Sequence, residues 1–214
     1  MPLRRESEGA VRAAEAYDGL ISASEGSACD PFDVHVVAAV LSLALEEGND
    51  RGGTLAQSAG LDGEALAEIW RTIFPAGALD AVAAGAGLER DLEEQSVRDI
   101  LMMYSSGATW LERPLASIIA RRCRQPNHLW QDLGLRNRGE LSQLMRRHFA
   151  PLARKNVGDM KWKKFLYRMI CSAEGFKLCT TPVCSECADF DACFGAEDGE
   201  ARLARLRRSA DLAA

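Results

Sequence analysis

This 214-residue chain lacks long apolar runs, an apolar segment after the N-terminal basic residues, and an abundance of aromatic residues. No run approaches the roughly 20 apolar residues of a membrane span, so we expect a soluble protein with no membrane partner. Met1 to Arg5 is followed by acidic and small residues instead of a signal-peptide core, which favours the cytoplasm, where thiols stay reduced. Aromatic residues make up 7% of the chain and the net charge is −5, which argues against nucleic-acid binding.

Sustained alternation of polar and apolar residues is also absent, and the apolar residues recur at helical spacing instead. Two stripes follow the i, i+3, i+4, i+7 pattern of an amphipathic helix. The first is Val97, Ile100, Leu101 and Tyr104, and the second is Trp162, Phe165, Leu166, Met169 and Ile170. The sequence therefore predicts an all-α fold with a C-terminal metal-binding loop. Its main helices are expected near residues 33–47, 93–106, 114–123 and 161–174, with a leader helix in the first thirty residues and a short tail helix near 203–208.

Two stretches about 75 residues apart share a pattern that indicates an internal repeat. In each stretch a Gly-Leu pair leads into a predicted helix that ends in Phe close to Pro. The first runs from Gly60 to Pro75 and the second from Gly134 to Pro151. Each follows an apolar helix and precedes an amphipathic one, which predicts a duplicated three-helix unit. Because helices that end in Phe-Pro are common, a chance similarity stays open.

The net charge conceals a strong asymmetry along the chain. Residues 1–109 carry a net charge of −12, residues 110–177 carry +10, and residues 178–214 carry −3. We therefore expect an acidic helical part (1–109), a basic helical part with the cysteine motif (110–197), and a tail (198–214). The basic block is either a solvated surface that offsets the acidic half or a site for an anion or an acidic partner.

Four of the seven cysteines lie within fifteen residues, as Cys179, Cys184, Cys187 and Cys193. Cysteines that merely pack are scattered along a chain, so this cluster predicts a metal site. The first three repeat the C-x4-C-x2-C run that plant-type ferredoxins use for an iron–sulfur cluster, and the fourth departs from that pattern. Structural zinc sites use two cysteine pairs separated by a longer stretch. The spacing favours iron–sulfur and leaves zinc, disulfides and unligated thiols open.

Other candidate ligands lie upstream of the motif. Cys171 follows Arg168 by three residues and Lys164 by seven, so it shares the basic flank of its helix and could add a sulfur or be an inert, half-buried thiol. His128 and His148 are candidates for a non-sulfur metal ligand or an anion contact. A tetrahedral dianion could be attracted by a basic group that comprises Arg146, Arg147, Lys161, Lys164 and Arg168. Packing explains Cys29, Cys123 and His35.

Several segments together resemble the NifQ family, strongly from about residue 110 to 197 and weakly before that. They are His128–Leu135, Glu140–Ser142, Pro151–Ala153, Met160–Phe165, Tyr167-Arg168 and the cysteine motif with its following Phe-Gly. The resemblance implies a carrier, not an enzyme, that holds an iron–sulfur cluster of Mo–Fe–S type, possibly formed from an iron–sulfur precursor. It implies delivery of molybdenum to the nitrogenase cofactor scaffold complex, with participation of the nitrogenase reductase component.

The family's cysteine motif falls on Cys179, Cys184, Cys187 and Cys193, and its upstream cysteine falls on Cys171. Our hypothesis is that cysteines of the motif hold the iron corners while the molybdenum corner faces the basic helix and His128 or His148. Two other functions remain open: a zinc-stapled all-α interaction module, and an electron-transfer iron–sulfur protein that never handles molybdenum.

Overall fold

The computed structural model describes residues 2–77, 88–173 and 197. These residues form ten α-helices and contain no strand, which confirms the all-α prediction for the part of the chain described. The helices are α1 (Pro2–Ala23), α2 (Pro31–Arg51), α3 (Leu55–Ala59), α4 (Gly63–Ile73), α5 (Leu92–Met103), α6 (Glu112–Cys123), α7 (Leu129–Asp132), α8 (Arg138–His148), α9 (Ala150–Ala153) and α10 (Trp162–Ala173). The predicted cysteine loop and tail helix lie outside the described residues.

The four main predicted helices appear as α2, α5, α6 and α10, and the leader helix appears as α1. Their ends follow local signals. Asp30 caps α2 by accepting a hydrogen bond from the Phe32 amide at 2.9 Å, and Pro31 supplies a first helical residue that needs no amide donor. Gly52 ends the helix in the left-handed conformation, with φ of 70°. None of the described helices combines the length and apolar character that crossing a membrane demands.

The described residues divide into two compact units. The first unit comprises residues 2–77, 88–89 and 130–137, and the second comprises 90–129, 138–173 and 197. The three parts expected from the charge distribution stay a prediction.

The core of the first unit is built on α2, whose apolar run is buried on nearly every side. The helices α1 and α3 pack against it. His35 on α2 is buried and accepts or donates a 2.8 Å hydrogen bond with the Tyr17 hydroxyl of α1. A buried imidazole needs such a partner, so this histidine serves packing in the structure.

Both Gly-Leu pairs of the proposed repeat end a short helix with the same backbone motif. Gly60 and Gly134 adopt φ of 77° and 74°. The amides of Leu61 and Leu135 each donate a 2.9 Å bond to the carbonyl five residues back, and both leucine side chains are buried. This is the Schellman arrangement, in which a left-handed residue reverses the chain and the following apolar side chain seals the helix end.

The two phenylalanines of the repeat also match. Phe74 and Phe149 have backbone angles of −121°, 55° and −132°, 45°, and each amide donates to the carbonyl four residues earlier. Both side chains are completely buried. These local matches fit the duplication, which as a statement about whole three-helix units stays a prediction.

In the second unit, α5 packs against α6 and α10, and α8 packs against α9. Its buried residues include Leu115, Ile118, Ile119, Leu144, Met145 and Leu166. Glu94 on α5 is also buried and is paired with Arg121 of α6 at 3.0 Å. Burial raises the pKa of Glu94, and the Arg121 charge opposes that rise.

The loop between α5 and α6 is closed by the carboxylate of Glu112. Its oxygens accept hydrogen bonds from the amides of Gly107, Ala108 and Thr109 at 2.7, 2.9 and 3.2 Å. Gly107 allows the turn because it adopts φ of 67°. The carboxylate is buried, and three donors compensate its loss of water.

Candidate metal centre

The helix α10 leads directly into the cysteine segment, since it ends at Ala173, six residues before Cys179. One side of the helix is buried and carries Trp162, Phe165, Leu166 and Ile170. Lys164 and Arg168 are exposed on another side. The helix extends over Cys171, and the three- and seven-residue spacing places this position on the same side as the two basic residues.

The start of α10 is fixed by a tightly bonded loop. The Asn156 side-chain amide bonds both backbone groups of Met160: its nitrogen donates to the Met160 carbonyl at 2.9 Å, and its oxygen accepts from the Met160 amide at 2.9 Å. Between them Asp159 adopts φ of 51°, a left-handed conformation that costs free energy outside glycine. The loop therefore holds a defined shape up to the first residue of the helix.

Side-chain contacts hold α10 along its length. The Lys163 ammonium donates to the carbonyls of Gln125 and Asn127 at 2.6 and 2.7 Å. One turn later the Tyr167 hydroxyl donates to Glu93 of α5 at 2.5 Å. Burial, followed by this hydrogen bond, raises the pKa of Tyr167 far above its usual range. The helix that precedes the cysteines is thus fastened at both its start and its middle.

The predicted anion contacts lie on two helices of the second unit. Arg146 and Arg147 are exposed in the last turn of α8, and Lys161 is half-buried next to the start of α10. The Trp162 indole nitrogen donates to the Ser142 hydroxyl at 3.4 Å. Ser142 lies one turn before Arg146, and Trp162 directly follows Lys161. A common anion site for all five residues remains a proposal.

His148, a predicted ligand, lies inside the second unit. Its side chain is 0% exposed, and Nδ1 lies 3.4 Å from the Thr109 hydroxyl. Its backbone carbonyl accepts a 2.9 Å hydrogen bond from the Ser106 amide. A metal or oxyanion could reach this ring only if the surrounding side chains moved, so the structure gives His148 a packing position.

His128, the other predicted histidine, contacts a carboxylate that follows the cysteine motif. Its Nδ1 lies 3.2 Å from Oε1 of Glu197, which is four residues beyond Cys193. The second oxygen of Glu197 lies 3.1 Å from Nη1 of Arg138. The side chain of Glu197 is 4% exposed, whereas that of His128 is 34% exposed.

Arg138 connects this carboxylate to the loop before α10. Its Nη2 donates to the Asp159 carbonyl at 2.6 Å, to the Asp159 carboxylate at 3.0 Å and to the Met160 carbonyl at 3.3 Å. Sequence analysis missed both Arg138 and Glu197. They are 59 residues apart and belong to no periodic pattern, so the sequence offers no signal for their pairing.

The four motif cysteines lie in residues 174–196, outside the described residues. The residues on either side of the stretch 174–196, Ala173 and Glu197, both belong to the second unit. Among the described residues, no group of three or more His, Cys, Asp or Glu side chains is arranged to hold a metal ion.

Comparison with known proteins gives a consistent result. A sequence model of the NifQ family matches residues 36–195, a range that includes all four cysteines and begins well before residue 110, where the resemblance was expected to fade. A "Protein NifQ homolog" of Sinorhizobium fredii is 39% identical over 171 residues, which cover 79% of this chain and 74% of the relative.

Two further relatives are each named "Protein NifQ". The one from Azotobacter vinelandii is 36% identical over 151 residues, or 64% of this chain and 77% of the relative. The one from Rhodobacter capsulatus is 39% identical over 160 residues, or 72% of this chain and 86% of the relative. No solved structure matches the chain. The extent of the family match and the identity to these relatives show that the chain belongs to the NifQ family.

Proposed function

We propose that this protein carries an iron–sulfur cluster on Cys179, Cys184, Cys187 and Cys193, takes molybdenum into that cluster, and donates it for assembly of the iron–molybdenum cofactor of nitrogenase. The observation that carries the proposal is the family match, which spans all four cysteines. The protein would thus serve nitrogen fixation as a carrier and not as an enzyme. Its partners would be the nitrogenase cofactor scaffold complex and the nitrogenase reductase component, in the cytoplasm.

The donor set fits this cargo. Thiolates are the ligands that hold iron–sulfur clusters, while oxygen and nitrogen donors suit a harder metal and exchange more readily. A cluster of Mo–Fe–S type, formed from an iron–sulfur precursor, would present both kinds of corner. Cys171 could supply a fifth thiolate, since it lies near the end of α10, eight residues before Cys179.

His128 is the histidine that the geometry favours as a non-sulfur ligand. If it binds metal, Nε2 is the better placed nitrogen, because Nδ1 lies 3.2 Å from Oε1 of Glu197. A carboxylate on one ring nitrogen is the usual device that orients a metal-binding imidazole through the other. We leave His148 out of the proposed site because it is completely buried.

The basic group would attract molybdenum as the molybdate dianion. Lys164 and Arg168 are exposed on the side of α10 that also includes position 171, and Arg146 and Arg147 are exposed at the end of α8. Lys161 directly precedes Trp162, whose indole nitrogen donates to Ser142 of α8. Positive charge concentrated around a site raises the local concentration of anions and their rate of arrival.

Metal and sulfide analysis of anaerobically purified protein tests the proposal. We expect iron with acid-labile sulfide, and a gain of molybdenum after incubation with molybdate and a reductant. The Cys184→Ala, Cys187→Ala double variant should lose the iron and the sulfide-to-iron absorption bands. Cys29→Ala is the matched control, because Cys29 lies in the first unit with its sulfur 3.7 Å from the Thr72 carbonyl.

Three outcomes would overturn the proposal. Full iron retention in the double variant would refute the ligand assignment. Zinc without iron or sulfide would indicate a zinc-stapled interaction module. Reversible one-electron reduction with no molybdenum gain would indicate an electron-transfer protein.

A further inference from the structure

We propose that Glu197 is a positioning residue that fastens the C-terminal end of the cysteine segment to the second unit, through His128 and Arg138. We call Glu197, His128 and Arg138 together the clamp. Their role in cluster binding rests on the proposed function, while the clamp itself rests on their contacts alone. It would close the segment at both ends before any metal arrives.

The burial of the Glu197 carboxylate supports the clamp. The Glu197 side chain is 4% exposed, and its two oxygens meet His128 Nδ1 at 3.2 Å and Arg138 Nη1 at 3.1 Å. A carboxylate removed from water is stable only when donors replace the lost hydration. The contact with Arg138 is an ion pair and not a hydrogen bond, since Oε2 of Glu197 has no hydrogen-bond partner. The attraction of the guanidinium charge for a carboxylate at 3.1 Å offsets part of the burial cost and favours one position for Glu197.

Arg138, which contacts Glu197, is itself held in place by other residues, and this also supports the clamp. Arg138 uses Nη1 for Glu197 and Nη2 for Asp159 and Met160. That second partner is held in turn by Asn156, which bonds both backbone groups of Met160. A planar guanidinium can serve both sides at once, whereas a lysine ammonium cannot reproduce the fork.

The entropy of the chain between α10 and Glu197 also favours the clamp. Residues 174–196 form a 23-residue connection between α10 and Glu197. Bringing the ends of such a connection together costs entropy, and the cost falls on the cluster unless another contact closes the loop first. A closed loop also raises the effective concentration of its thiolates for one another. Glu197 lies four residues beyond Cys193, and a fully extended chain spans at most about 14 Å over that separation.

The test compares Glu197→Gln with Glu68→Gln in the full-length protein. Glu68 is the matched control because it is an exposed glutamate on α4 of the first unit. The first measurement is the rate of chymotrypsin cleavage within residues 174–196 of reduced, metal-free protein. Cleavage tracks the population of the open segment, so we expect a roughly tenfold faster rate for Glu197→Gln and no change for Glu68→Gln.

Graded variants separate positioning from general stability. Glu197→Asp keeps the charge but shortens the reach, so its cleavage rate should lie between those of the native protein and Glu197→Gln. His128→Asn removes one of the two contacts at a half-exposed position and should raise cleavage by about threefold. The melting temperature, followed by circular dichroism, should stay the same in all of these variants because neither Glu197 nor His128 lies in a helix.

The second measurement is the rate at which a chelator removes iron from the reconstituted protein, which should also rise about tenfold in Glu197→Gln. An unchanged cleavage rate in both Glu197→Gln and His128→Asn would overturn the clamp, whether or not the chain binds iron. Faster cleavage in a chain that binds no iron would support the clamp and refute the proposed function.

Discussion

Replacement of Gly134 by alanine tests how the chain between α7 and α8 is held in the first unit. Gly134 adopts φ of 74°, and a Cβ added there would lie 2.9 Å from the Ala39 carbonyl oxygen and 3.1 Å from Leu43 Cδ1 of α2. The nearest atom is helix backbone, which cannot rotate away as the end of a flexible side chain can. The substitution therefore combines an unfavourable backbone conformation with a steric overlap.

The magnitude follows from these two parts. A left-handed conformation costs about 1 kcal/mol in a residue with a Cβ. Forcing an extra carbon into a packed position costs a further 1–3 kcal/mol, typically about 2. We expect Gly134→Ala to lower the free energy of unfolding by about 3 kcal/mol, and the melting temperature by roughly 6–12 °C for a chain of this size.

Gly52→Ala provides the matched control. Gly52 has φ of 70° and no atom within 4 Å of its added Cβ, so only the conformational cost of about 1 kcal/mol applies. Urea denaturation of both variants isolates the contact with α2 as a difference of about 2 kcal/mol. Equal destabilisation by the two substitutions would refute the close approach of Gly134 to Ala39.

Three more outcomes are expected. Because burial raises the pKa of Glu94, the folded protein holds that proton more tightly than the unfolded chain. The free energy of unfolding of the native protein relative to Glu94→Gln should thus be largest below the usual glutamate pKa of about 4.3 and fall as pH rises through the raised value, as urea denaturation between pH 4 and 7 would show. Asp62→Ala should cost about 1 kcal/mol and Asp62→Asn much less, because the Asp62 carboxylate caps α4 through the Ala65 amide at 2.8 Å; thermal unfolding would check the difference. The double variant Lys164→Glu, Arg168→Glu should gain molybdenum several-fold more slowly at unchanged iron content, whereas Arg71→Glu on the first unit should not, in a time course of metal analysis.

Helices with a strong apolar stripe were predictable from the sequence. The stripe from Trp162 to Ile170 predicted both that this segment is a helix and which side of it is buried, because apolar residues at helical spacing lie on one side of a helix. The cysteine motif could be singled out as a predicted metal site for a similar reason, since its four cysteines are close along the chain. In both cases the information is local in sequence.

Contacts between distant residues were not predictable in this way. His148 follows two exposed arginines and looks like a surface histidine, yet packing of the second unit buries it beside Thr109. The contact of Arg138 with Glu197 depends on how the chain returns after 59 residues, which no spacing records. Tertiary structure decides which polar side chains meet, so a single sequence supplies candidates without their partners.

The loop closed by Glu112 has a bearing on anion selectivity. Consecutive amides such as those of Gly107, Ala108 and Thr109 form the kind of concave backbone site that captures phosphate and related anions. Here the protein's own carboxylate occupies that site, so sulfate, phosphate and molybdate are all kept out of it. Under the proposed function, this filled site would not compete for molybdate, and recognition would be left to the charged side chains of α8 and α10.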